Sequence, residues 1–219
     1  MASYQHIDTD NMHQSIYEFS DHIMQAIEIG ESISIKNQYN DIHNVVVAGM
    51  GGSAIGGDVA RLLCKNELKV PMVVSRNYTL PGWVNNNTLV ICSSYSGNTE
   101  EPLSALDDAL NKKAQVCGFT TGGELGKHLK KLGKDLVIIP SGLQPRAALA
   151  FSFVPMVKLL EKNCDWIIAN DVSNKAIGFD SSFNEVSIFY KNMKYEKLPK
   201  MKKSLLADNI VKKVISHLN

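Results

Sequence analysis

The sequence lacks an excess of either charge: 23 basic against 22 acidic residues leave a formal net charge of +1 over 219 residues. That balance offers no global attraction for nucleic acid or for an anionic membrane surface, so small molecules or proteins are the expected partners. The four cysteines, Cys64, Cys92, Cys117 and Cys164, form no CxxC pair, and no histidine cluster stands at zinc-ligand spacing. Neither a metal centre nor a disulfide framework is therefore expected. Cys92 and Cys117 fall inside apolar segments, where a reduced thiol behaves as a small hydrophobe. No apolar run approaches membrane-spanning length, and the first residues carry neither the basic nor the apolar region of a secretion signal. Internal repeats and low-complexity tracts are also missing. These absences lead to the expectation of a soluble, cytoplasmic protein.

What is present is enough apolar residue, 44% of the chain, to bury one full core with a short appendage. Met12, Ile16, Phe19, Ile23 and Ile27 recur at the period of one helical face, with Asp8, Thr9 and Asp10 ahead of them as caps. From residue 44 onward, short apolar runs at 45–48, 72–75, 89–93, 116–120 and 136–139 alternate with helical patterns at 55–64, 100–113, 124–132 and 146–162. Strands apolar on both faces and separated by helices imply a parallel sheet covered on both sides. The expected fold is α/β, a three-layer sandwich on five parallel strands in the flavodoxin-like manner. Residues 1–43 read as a leading helical segment and 44–164 as the sheet domain. Residues 165–219, polar and lysine-rich without a strong strand, read as a helical tail or linker.

Two loops carry the chemistry. "GMGGSAIGG", 49–57, follows the first strand and opens a helix. A helix start presents unpaired N–H groups and the positive end of a dipole, and glycines let an anion approach closely. A Walker loop would need a lysine before a Ser or Thr at the end of that run, and none is there. Gly49, Gly51 and Ala54 do satisfy the spacing of a dinucleotide fingerprint, but the second strand ends in Ser75 and Arg76 where an acidic residue would hold a ribose. Arg76 could instead answer a 2′-phosphate, which keeps an NADP-dependent reductase as an alternative. The third strand then runs into "SSYSGNTEE", 93–101, where Ser94, Ser96 and Thr99 surround a Gly97–Asn98 turn at a helix start. One hydroxyl suffices for a helix cap and this loop has three, which favours a monophosphate held by short hydroxyls and backbone N–H groups.

With these residues in hand, the sequence resembles the sugar isomerase (SIS) domain family. The stretches 75–101, "SRNYTLPGWVNNNTLVICSSYSGNTEE", the "TGGEL" turn from Thr121 and "PRAALAFSFVP" from Pro145 are most similar to the N-terminal SIS domain of bifunctional phosphoglucose/phosphomannose isomerases. The resemblance runs from about residue 45 to about residue 160. It implies that Gly51, Gly52 and Ser53 in the first loop, with Ser94, Ser96, Gly97, Asn98 and Thr99 in the second, hold a sugar phosphate. It also implies that Arg146 lies near the reacting carbons, where a guanidinium would stabilise an enediolate oxyanion. The implied reaction interconverts glucose 6-phosphate and fructose 6-phosphate, with mannose 6-phosphate as a further candidate and no cofactor. A homodimer is expected, because such domains pack on a second copy.

Isomerisation also needs a general base and a group to open the sugar ring. In the resembled family these come from a second SIS domain downstream, and the closing "NIVKKVISHLN" is expected to lead into it. Within the chain the candidates are Glu100, Glu101, Glu124, His128 and His217. A phosphosugar sensor without catalysis is the other reading of the same loops.

Overall fold

The computed structural model describes residues 7–66, 68–160, 166–170, 181–190 and 195–218. Five strands, β1 (Asn44–Gly49), β2 (Met72–Ser75), β3 (Thr88–Ser93), β4 (Gln115–Thr120) and β5 (Asp135–Ile138), form one sheet in the order β2-β1-β3-β4-β5. Every pairing in it is parallel, with Val45 beside Met72 on one side and Leu89 on the other. The expected α/β sandwich is therefore the observed one, each strand lying within a residue or two of its expected place.

Alternation along the strands divides the core in two. In β1, Val45 and Val47 face a layer built from α2 (Phe19–Ser32), α3 (Gly51–Leu63) and α6 (Leu149–Leu160). Val46 and Ala48 face the opposite layer, made by Ala105, Leu106 and Ala109 of α4 (Glu100–Asn111) and by Leu125 and Leu129 of α5 (Gly123–Lys131). Each crossover returns the chain to the same edge of the sheet, so all the loops that follow strands gather there.

The leading segment departs from expectation in one respect. It is two helices, α1 (Met12–Tyr17) and α2, separated at Glu18. The Asp8 carboxylate accepts from the Met12 and His13 N–H groups at 2.7 and 2.8 Å, as a cap should. Ile23, Ala26 and Ile27 are buried against α6, whereas Ile16, on the far side of the break, is exposed.

The larger correction concerns residues 165–219. Among the described residues this segment is more than a helical tail: β6 (Trp166–Asn170), β7 (Phe183–Tyr190) and β8 (Tyr195–Lys202) form an antiparallel three-stranded sheet, followed by α7 (Lys203–Leu218). Val186, Ile188, Leu198 and Leu206 make its small core. A one-sided sheet needs an apolar residue only at every second position, and Glu185 and Ser187, alternating with Val186 and Ile188, diluted that signal.

Candidate functional site

In a sheet of order 2-1-3-4-5, the first strand and the third are neighbours whose connections leave in opposite directions, which opens a crevice beyond their carboxyl ends. The glycine loop follows β1 and the serine loop follows β3, so both border that crevice. The sequence could not show that they are neighbours; the pairing of β1 with β3 does.

The glycines divide into two kinds. Gly51 has φ of +53° and open space where a side chain would be. A Cβ at Gly52 would stand 2.7 Å from the Pro145 carbonyl oxygen, one at Gly56 2.5 Å from the Ser152 Cβ, and one at Gly57 2.9 Å from Val47 Cγ1. Gly52 and Gly56 thus let α6 and the turn before it approach α3, and Gly57 lets α3 approach the sheet. Of these four, Gly51 is the one left open towards a ligand.

The hydroxyls divide in the same way. Ser53 is buried, and its Oγ accepts the Tyr95 N–H at 3.1 Å, which joins the two loops. Ser94 is buried too; its Oγ accepts from the Gly97 N–H at 3.1 Å and is 3.0 Å from Thr99 Oγ1. Ser96 is exposed, with its Oγ accepting from Asn98 N–H at 3.2 Å. Thr99 stands in the cap position of α4 without spending its side chain on a cap bond. Asn98 turns its carboxamide oxygen to the Glu124 N–H at 3.0 Å, at the start of α5. Gly97, at φ +73°, packs so closely that an added Cβ would lie 2.0 Å from the Gly122 carbonyl oxygen. The groups left to face an anion are the Ser96 and Thr99 hydroxyls and the first N–H groups of α4.

Arg146 is exposed in the turn that precedes α6. Together with Gly51, Gly52, Gln144 and Pro145 it lines a cleft of about 480 Å³ whose other wall is the segment from Ile7 to Asp10 and Met12. The structure therefore brings Arg146 to the glycine loop directly. Ser94, Ser96 and Thr99 stand outside the cleft's wall and connect to it through Ser53 and Tyr95.

Glu100 and Glu101 open α4 and Glu124 opens α5, all at the same edge of the sheet. Tyr78 OH donates to Glu100 at 3.4 Å. Lys127 hydrogen-bonds Glu124 at 2.7 Å and holds its carboxyl below the usual range. His128 is in the last turn of α5, towards the opposite edge. The side chain of His217, like the whole of Cys164, lies outside the described residues. Arg76 is ion-paired with Asp58 of α3, which occupies the guanidinium that an NADP 2′-phosphate would need. Among the described residues no group of three or more His, Cys, Asp or Glu could hold a metal ion, and no helix is long and apolar enough to cross a membrane.

Tyr95 was not anticipated as a site residue. Its N–H reaches Ser53, its carbonyl accepts from the Thr121 N–H at 3.0 Å, and its phenol oxygen accepts from the Leu143 N–H at 3.0 Å. Burial pushes the phenol's pKa up, partly offset by that Leu143 N–H. A tyrosine set among Ser94, Ser96, Asn98 and Thr99 was the available signal, since a phenol that such a loop carries into the core usually finds a hydrogen-bond partner.

Over 151 residues the chain is 50% identical to the bifunctional phosphoglucose/phosphomannose isomerase of Caldicellulosiruptor bescii, covering 69% of this chain and 44% of that protein. It is 34% identical over 121 residues to the D-glucosamine-6-phosphate 4-epimerase of Sulfolobus acidocaldarius, covering 52% and 36%. Among solved structures, the tagatose-6-phosphate ketose/aldose isomerase of Escherichia coli superposes with a TM-score of 0.53 at 13% identity, over 67% of this chain and 46% of that one. This chain thus spans less than half the length of these relatives. Residues 155–218 match a different family, the DNA/pantothenate metabolism flavoprotein C-terminal domain.

Proposed function

From the premise that the five-stranded domain has the SIS fold and that its curated relatives include bifunctional phosphoglucose/phosphomannose isomerases, we propose that this chain binds a sugar phosphate and supplies the phosphate-holding half of an aldose–ketose isomerase. The substrates are glucose 6-phosphate and fructose 6-phosphate, with mannose 6-phosphate as the epimeric alternative. The observation that carries the reading is the placement of two anion-suited helix starts, after β1 and β3, on either side of one crevice and joined by the Tyr95 N–H to Ser53 bond.

In this reading the α4 start, with Ser96 and Thr99, takes the phosphate, and the backbone at Gly51 borders the sugar. A carboxylate removes the proton from C2 of the open-chain aldose, and negative charge gathers on O1 of the cis-enediolate. Arg146 faces that oxygen. The proton returns at C1 while the O2 hydroxyl proton passes to O1, leaving a ketose. Glu100, Glu101 and Glu124 are the candidate glutamates at that edge of the sheet, and none of the three lines the Arg146 cleft. That separation favours a second reading, in which the chain binds sugar phosphate and a partner completes catalysis.

We further propose a cytoplasmic homodimer. Ile55, Leu62 and Leu63 leave an exposed apolar strip on α3, a surface suited to a second copy. The deciding experiment is a coupled assay for conversion of fructose 6-phosphate to glucose 6-phosphate, with thermal stabilisation by the same ligand measured alongside. Turnover lost in Arg146→Ala supports the isomerase. Stabilisation without turnover supports the binding half, and neither effect refutes both.

A further inference from the structure

The segment from Ile139 to Ala148 carries Arg146 but belongs to no strand or helix. At one end the Ile139 N–H is tied to the Thr120 carbonyl, and at the other the Ala147 and Ala148 N–H groups close a turn on the Gln144 carbonyl. Between them lie Gly142, at φ +96°, and two prolines, Pro140 and Pro145, that have no N–H to give. Among the described residues, the middle of this segment is tied to the sheet domain by the hydrogen bond from Leu143 N–H to the Tyr95 phenol oxygen, at 3.0 Å, while the Leu143 side chain packs against the core. Two residues further on, the Pro145 carbonyl rests against Gly52.

Tyr95 is well placed to serve as that anchor. Its ring is part of the core beside Phe119 and Phe151, with 9% of its surface exposed. Its backbone is pinned at both polar atoms, the N–H by Ser53 and the carbonyl by Thr121. One residue therefore touches the loops after β1, β3, β4 and β5. Only the last of these contacts is made by the side-chain oxygen, so that contact can be removed while the backbone ties and the ring remain.

We propose that Tyr95 is the positioning residue for Arg146: its phenol fixes the Leu143 amide, and with it the turn that sets the guanidinium beside Gly51 and Gly52. The role rests on the sugar-phosphate reading above, because Arg146 needs a fixed place only if it meets a ligand. A positioning bond of this kind acts on the sugar end of the ligand and leaves the phosphate end, at Ser96 and Thr99, untouched.

The test is Tyr95→Phe in the full chain, which keeps the ring in the core. Hydrogen exchange without ligand should show the Leu143 amide exchanging about tenfold faster, the factor carried by one hydrogen bond of ordinary strength, with the Ala147 and Ala148 amides of the following turn also faster. The Tyr95 amide, still held by Ser53, should keep its wild-type rate. Calorimetry should show fructose 6-phosphate binding weakened by about tenfold with inorganic phosphate binding within about twofold of wild type. Arg146→Ala should give the same split, and the double variant should be no worse than Arg146→Ala alone, as for residues acting in one chain of contacts. An unchanged Leu143 amide overturns the proposal, as do additive losses or an equal loss of phosphate binding. A wild-type chain that binds no sugar phosphate overturns the functional reading, and the ligand-free exchange experiment then judges the Tyr95 anchor by itself.

Discussion

Replacing Gly97 by alanine adds one methyl group to the most crowded point of the serine loop. Its Cβ would lie 2.0 Å from the Gly122 carbonyl oxygen, 2.7 Å from the Gly122 carbonyl carbon and 2.8 Å from Thr120 Oγ1. The first two neighbours are backbone and cannot rotate aside, so the loop and the start of α5 must separate. That movement strains two bonds between them, Leu125 N–H to the Gly97 carbonyl at 2.9 Å and Glu124 N–H to Asn98 Oδ1 at 3.0 Å. A left-handed conformation for alanine costs about 1–2 kcal/mol. Overpacking adds about 1–3 kcal/mol, and each weakened hydrogen bond about 0.5–1.5 kcal/mol. The total destabilisation is at least about 3 kcal/mol, which for a protein of this size lowers Tm by about 6–12 °C. Circular dichroism melts of Gly97→Ala beside Gly82→Ala make the comparison, because Gly82 has open space around it and an ordinary φ. The control should melt within a few degrees of wild type or slightly above it. A Gly97→Ala protein that melts within about 2 °C of wild type would refute the clamp between serine loop and α5.

Three further outcomes follow from buried polar groups. Ser53→Ala leaves the Tyr95 N–H without its acceptor and should cost about 1–3 kcal/mol in urea unfolding, with Ser96→Ala, at an exposed hydroxyl, costing much less. Burial raises the pKa of Asp135, but hydrogen bonds from the Lys36 N–H, the Tyr39 hydroxyl and Asn37 outweigh it and hold the carboxyl below its usual 3.8. A depressed folded pKa gives stability that is fully present above the unfolded value and is lost as pH falls through the folded one. Asp135→Asn should therefore be clearly less stable than wild type at neutral pH, with a gap that narrows below pH 3.8; a gap that stays constant to the acid limit would contradict this. Burial pushes the Cys92 thiol up to about 12, assisted by the Asp107 charge, and burial followed by Cys92 and Asp135 raises Cys117 as well. Peptide mapping after thiol labelling at mildly alkaline pH should find both unmodified in the native protein and modified in urea; rapid native labelling of either would place it outside the core.

The sheet was legible because its central strands are buried on both faces and carry continuous apolar runs, Val45-Val46-Val47 being the clearest. Glycine and serine marked the ends of those runs, so both loops could be assigned to the correct edge. Which glycine does what could not be read. Gly51 and Gly52 are identical in sequence, and only the position of Pro145, over ninety residues away, makes one a packing contact and leaves the other open. The serine loop shows the same limit: three hydroxyls suggested three ligands for an anion, but Ser94 turns inward to Gly97 and Thr99, a contact that depends on how the turn closes. Tyr95 escaped notice because its importance lies in partners from three other loops, those after β1, β4 and β5. The β6–β8 sheet was missed for a different reason, since a strand with one wet face resembles polar coil when read residue by residue.

The two family likenesses meet inside α6, and this bears on how the molecule could be dissected. The flavoprotein-like segment begins at Pro155, yet Pro155, Met156 and Val157 are buried in α6, and Met156 and Val157 belong to the same apolar layer as Ile23, Ile27 and Val154. A chain trimmed at the family seam would lose two fully shielded side chains from the sheet domain and leave a hole facing α2. Trimming after Leu160 instead keeps the whole helix and its ion pair from Lys158 to Glu31. The start of the flavoprotein-like match and the end of the folded helix are thus several residues apart, and a fragment meant to stand alone has to respect the second.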